Sequence, residues 1–145
     1  MIQFITDDSL KIDTNNVENL TYKELLQIEC YFCIKINGKI FYEQPLFPLL
    51  EFIYFYKTWG GNADENFIYN TIESEDNPMI SIEKFASGWK INSIWGNFDC
   101  NIYFELSEIV IAIDTMLKEI SKNPEQETIW GRVEQYGDVN SMGTC

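Results

Sequence analysis

The sequence predicts an α+β domain: an antiparallel, mostly meandering β-sheet with two main α-helices packed on one face. Three observations carry this. Strand-like alternation fills the N-terminal part and the middle of the chain. Tight-turn signals join those strands as hairpins rather than as βαβ crossovers. Only two segments have the length and apolar pattern of substantial helices.

Ile2 to Thr6 reads as a short strand, Asp7-Asp8-Ser9 as a turn, and Leu10 to Asp13 as a candidate second strand. Thr21-Tyr22-Lys23-Glu24 matches a capping box and marks a brief helical turn. The clearest strand is Leu26 to Ile36. Leu26, Ile28, Cys30, Phe32, Ile34 and Ile36 share one face, and Gln27, Glu29, Tyr31, Cys33 and Lys35 share the other, a period of two with one buried side. Asn37-Gly38 follows as a hairpin turn, because these residues tolerate the positive φ that a two-residue turn needs, and Lys39 to Glu43 returns as the partner strand.

Pro45 and Pro48 open a helix that runs to Trp59 and stops at Gly60-Gly61. It is apolar on nearly every side and too short to span a bilayer, which predicts a central helix under the sheet. Strands are expected at Phe67 to Ile72, Met79 to Phe85, Trp89 to Trp95 and Cys100 to Phe104, separated by an acidic turn at Glu73 to Pro78, by Ser87-Gly88 and by Gly96-Asn97. Ser107 caps a final helix from Glu108 to Ser121, with a stripe of Ile109, Ala112, Ile113, Met116, Leu117 and Ile120. Residues 1–122 are thus expected to form one domain. Residues 123–145 form a C-terminal tail with scattered apolar residues, loosely docked or partly mobile.

The 145 residues carry 23 acids against 10 bases, a net charge of −13. This disfavours phosphate backbones and anionic membranes and favours basic partners, although solubility alone also accounts for an acidic surface. Aromatics at 15% exclude a globally disordered chain. Histidine is absent, which removes Ser-His-Asp and Cys-His catalysis and His-containing zinc sites. With no basic, apolar leader and no need for disulfides at this size, the chain reads as cytoplasmic with reduced thiols.

Cys30 and Cys33 have CxxC spacing, but an odd offset on a strand sends the two sulfurs to opposite faces, one core and one surface, so no pairing is expected. Glu73, Glu75 and Asp76 lack the fixed offsets of a calcium loop and read as a solvated acidic turn. No glycine-rich phosphate cradle occurs, and Arg132 is the only arginine, which leaves small anionic metabolites poorly served. No cofactor, metal ligand set or catalytic residue is expected.

The stretch Phe52 through Trp59, an aromatic helix ending in Trp, precedes Phe67-Ile68-Tyr69-Asn70-Thr71-Ile72-Glu73 and the acidic turn Glu75-Asp76-Asn77-Pro78. Gly88-Trp89-Lys90-Ile91-Asn92-Ser93-Ile94-Trp95 and an amphipathic helix follow. This series resembles a group of small bacterial proteins associated with immunity to polymorphic toxins. The resemblance implies an immunity protein or antitoxin that binds and neutralises a cognate toxin domain, without catalysis. The charge suits a basic toxin such as a nuclease. Asp64, Glu65, Glu73, Glu75, Asp76 and Asp99 would form an acidic rim around an aromatic anchor such as Trp95. The alternative is a non-catalytic structural or adaptor domain; an enzyme built on carboxylates or a tyrosine ranks third. Oligomeric state is left open.

Overall fold

Alternating burial along Cys30–Ile36 builds the first sheet. This strand, β2, pairs antiparallel with β1 (Ile2–Thr6) on one side and β3 (Lys39–Phe47) on the other. The β2–β3 turn has the expected backbone, with Asn37 at φ 51° and Gly38 at φ 81°. The computed structural model of the chain describes residues 1–7, 28–70 and 79–121. The expected strand at 10–13, the capping box at 21–24, the acidic turn at 73–78 and the tail lie outside them. After β3 come α1 (Leu49–Trp59), β4 (Phe67–Tyr69), β5 (Ile80–Phe85), β6 (Gly88–Asn92) and α2 (Leu106–Ser121).

The fold is α+β with antiparallel sheets, but the strands form two three-stranded sheets, β1-β2-β3 and β4-β5-β6, rather than one. Phe47 of β3 meets Tyr69 of β4 edge-on at 5.8 Å, and helix α1 packs on both sheets. Its Phe52 ring meets Phe4, Phe32 and Phe47 of the first sheet and Phe67 and Tyr69 of the second, at centroid distances between 5.5 and 6.5 Å. The helix that is apolar on nearly every side is therefore central, with Lys57 and Thr58 of its last turn exposed.

Several boundaries differ from the sequence expectation; β2 begins at Cys30, leaving Ile28 and Glu29 outside it, and β4 ends at Tyr69. The helix begins at Leu49 with Pro48 as its N-cap, and Pro45 belongs to β3. Phe47 decides this: it pairs with Cys30 and stacks on Phe32 at 4.3 Å, so the strand continues until that ring is buried. As an outer strand of its sheet, β3 tolerates a proline. At the other end of α1, Gly60 takes φ 65° and its N–H donates to the Tyr56 carbonyl at 2.9 Å. Helix α2 starts at Leu106 rather than Glu108. The Glu108 carboxylate accepts the Glu105 N–H at 3.4 Å, one half of a capping box. Ile109, Ile113, Met116, Leu117 and Ile120 are buried as the stripe predicts. The Tyr56 hydroxyl donates to Asp114 at 2.9 Å and ties α2 to α1.

Cys30 and Cys33 keep opposite parity, and Cys30, Cys33 and Cys100 are free thiols, but Cys33 is not on the surface. Both are 1% exposed. Cys33 is small and sits in the middle strand between Ile5 of β1 and Glu43 of β3, beside the taller Tyr31 and Lys35, which enclose it.

Gly88, at φ 136°, opens β6 just after the Ala86-Ser87 turn, and a Cβ there would lie 2.9 Å from the Phe104 carbonyl oxygen. Gly88→Ala should therefore cost about 3 kcal/mol in stability, from strain plus the clash. Gly38→Ala, where nothing lies within 4 Å, should cost only about 1 kcal/mol. Denaturant midpoints at unchanged slope measure both, and equal losses would refute the steric argument.

Candidate protein-interaction site

Beyond Asn92 the chain leaves the second sheet, turns, and comes back to close a two-way bridge between Trp89 and Phe104, each N–H to the other's carbonyl at 2.8 Å. The expected strands Trp89 to Trp95 and Cys100 to Phe104 are thus cut short: the first ends at Asn92, the second is reduced to that bridge. The excursion between them, residues 93–103, is fastened at its tip to the first sheet. Asn97 donates its backbone N–H to the Phe41 carbonyl at 2.7 Å and its side-chain amide to the Ile40 carbonyl at 3.0 Å. Gly96 lies against the Phe41 ring, where a Cβ would come within 3.0 Å, and Phe98 meets that ring edge-on at 5.4 Å. The Ser93 hydroxyl accepts the Trp95 N–H at 3.1 Å and shapes the turn.

This clamp holds apolar side chains in solvent. Ile94, Trp95, Phe98, Ile102 and Tyr103 are each 36–45% exposed. The Tyr103 ring meets Phe85 at 6.0 Å, extending the patch to the β5–β6 turn. Scattered exposed hydrophobics are ordinary, but this group, carried on one short connection, makes it a candidate interaction surface. Of the residues expected to bind a partner, Trp95 and Asp99 lie here, both exposed. Asp64 and Glu65 are exposed on the loop after α1. That loop is fixed by the Trp59 indole N–H donating to the Glu65 carbonyl (2.9 Å) and by the Lys84 N–H donating to Asn66 (2.9 Å). It therefore sits by the turn end of the β5–β6 hairpin, whereas Asp99 sits beside the β2–β3 turn. Glu73, Glu75 and Asp76 lie outside the described residues. The sequence reading missed Ile94 and Ile102, which it placed in strands, and Asn97 and Phe98, which it left in or beside a connecting turn with no long-range partner.

Among the described residues surface depressions open, and two of them bear on the candidate site. One, of about 430 Å³, lies between β1 and α2 and has Glu108 as its acid; the other, of about 440 Å³, lies between the β2–β3 turn and residues 98–102 and has Lys39 and Asp99. Neither brings two carboxylates together for acid–base work. The buried carboxylate, Glu51, accepts the Tyr69 hydroxyl at 2.7 Å inside the aromatic core, away from both depressions. Among the described residues no group of three His, Cys, Asp or Glu could hold a metal ion, and no helix is long and apolar enough to cross a membrane.

A family model described as a domain of unknown function (DUF7878) matches residues 2–126. The chain belongs to that family. No curated protein and no solved structure matches it.

Burial pushes the Cys30 thiol up from 9.0 to about 11, against a contact with the Thr6 hydroxyl at 3.5 Å. Burial likewise raises the Tyr42 and Tyr56 phenols. Between those limits the folded chain keeps a Cys30 proton that the unfolded chain releases. Stability from this group is full below pH 9.0 and is lost as pH rises toward about 11. The thermal midpoint should fall over that window, and Cys30→Ala should flatten the early part of the fall. Asn97→Ala should speed amide exchange at Gly96 and Asn97 and cost about 1–2 kcal/mol, leaving exchange in β2 unchanged relative to the global loss. Uniform acceleration throughout the chain would show that Asn97 has no local clamping role.

Proposed function

We propose that the protein acts in the cytoplasm as the inhibitor of a basic protein, in the way an immunity protein or antitoxin neutralises its toxin domain. The observation that carries this reading is the net charge of −13. A nuclease-type enzyme needs a cationic surface to hold phosphates. An acidic protein is drawn to that surface and competes for it, with a fast encounter driven by complementary fields. The exposed excursion at 93–103 adds the apolar contact that long-range attraction lacks, since charge steers association while buried anchors hold the complex.

The product of the adjacent gene, if it is a basic toxin domain, is the partner to measure. Its association rate should fall roughly tenfold or more as salt rises past the physiological range, with a much smaller change in dissociation. Neutralising Asp64, Glu65 and Asp99 together should lower the rate at low salt and leave the melting temperature nearly unchanged, because exposed acids contribute little to folding. A neutral or acidic partner, or an on-rate flat across salt, would make the acidity a solubility device and overturn the reading.

A further inference from the structure

Asn37-Gly38 is the only Asn-Gly step in the chain. Both residues are exposed, and both take positive φ. Ile36 pairs with Lys39, so the ladder closes before the turn and the Gly38 N–H stands outside it. A Cβ on Gly38 would meet nothing within 4 Å, which leaves this side of the peptide open to water. The Asn37 side chain is engaged from the other direction. Its Oδ1 accepts a hydrogen bond from the Met1 nitrogen, while its backbone N–H donates to the Met1 carbonyl at 2.8 Å.

We infer that this turn is a covalent modification site, at which Asn37 converts through a cyclic imide to aspartate and isoaspartate. The inference is independent of the inhibitor reading. The Gly38 nitrogen gives up its proton to solvent base and attacks Cγ of Asn37. A Cγ–N bond forms, the Cγ–Nδ2 bond breaks, and Nδ2 leaves as ammonia with a proton from solvent. Water then opens the ring. Cleavage at Cγ yields aspartate; cleavage at the main-chain carbonyl yields isoaspartate, whose backbone runs through the side chain and is one methylene longer. One water is consumed and one ammonia released, with no oxidation or reduction. Two features of the turn favour the first step. Glycine has no Cβ to obstruct its own nitrogen. The Met1 nitrogen already donates to the oxygen that becomes an oxyanion during the attack, and a preplaced donor lowers the barrier to that charge. Asn101 is exposed as well, but Ile102 follows it with a branched side chain that crowds the attacking nitrogen. Either product puts a new carboxylate beside the depression lined by Lys39 and Asp99, and isoaspartate lengthens the backbone where the hairpin holds the start of β1.

The test holds the full chain in mildly alkaline buffer, folded in one sample and unfolded by urea in another. Peptide mapping by mass spectrometry follows each asparagine, and an isoaspartyl methyltransferase labels the rearranged product. In the folded chain Asn37 should convert first, well ahead of Asn101, at a rate no lower than in urea, and should give both products. Gly38→Ala adds a methyl in open space, so the chain stays folded, and the isoaspartate label at residue 37 should be largely lost. An Asn37 that stays intact in the folded chain while the urea sample converts would show that the hairpin protects it, and would overturn the inference. Aspartate without isoaspartate, which is direct hydrolysis of the side chain, or an unchanged rate in Gly38→Ala would overturn it equally.

Discussion

The structure turns on one side chain. Phe52 projects from the central helix into rings supplied by β1, β2, β3 and β4. Burying a phenyl ring contributes about 2–3 kcal/mol, and truncating a well-packed one costs about 3–5 kcal/mol because the surrounding rings cannot close the gap. Here the ring does more than fill volume. Among the described residues it gives both sheets a common partner, beside the direct contact of Phe47 on β3 with Tyr69 on β4. The seating of α1 depends on Phe47, which keeps β3 extended until it reaches the core, and on Gly60, which ends the helix.

The surface feature depends on the same arrangement. The excursion at 93–103 starts on the second sheet but is clamped to β3 of the first through Asn97 and the Gly96–Phe41 contact. It joins the two sheets alongside the core contacts that α1 makes with both. The clamp also occupies part of the outer edge of β3, where carbonyls of Ile40 and Phe41 would otherwise invite another strand. Apolar side chains on such a connection remain in water because the backbone is committed elsewhere. A preorganised apolar surface loses less entropy on binding than a loop that must order first.

In the proposed inhibitor, acidity and apolarity would serve different steps of recognition. The excess of acids would act over a Debye length and govern encounter, while Trp95 and its neighbours would act only at contact. The core contains a polar element of its own, the Glu51–Tyr69 hydrogen bond. Glu51 lies in the first turn of α1, where the helix dipole favours a negative charge, and this offsets part of the cost of placing a carboxyl among aromatic rings.

Much of this was legible from residue order. The β2 alternation, the Asn37-Gly38 turn, the largely apolar helix, its Gly60 stop and the stripe of α2 are local features, and short-range sterics and periodicity suffice to specify them. So too the absence of histidine, the charge of −13 and the run without a base from Ile91 to Leu117 are properties of composition. Other features required the packed chain. Whether Pro45 opened a helix or lay in a strand was settled by where Phe47 finds its stacking partner. Cys33 faces outward by parity yet is enclosed, because burial depends on the height of neighbours on adjacent strands. Ile94 and Trp95 carry a strand-like pattern but stand in solvent, since Asn97 finds its partners on β3, more than fifty residues away. Contacts at that separation leave no periodic trace in the sequence, and they are what turned an expected strand into an exposed surface.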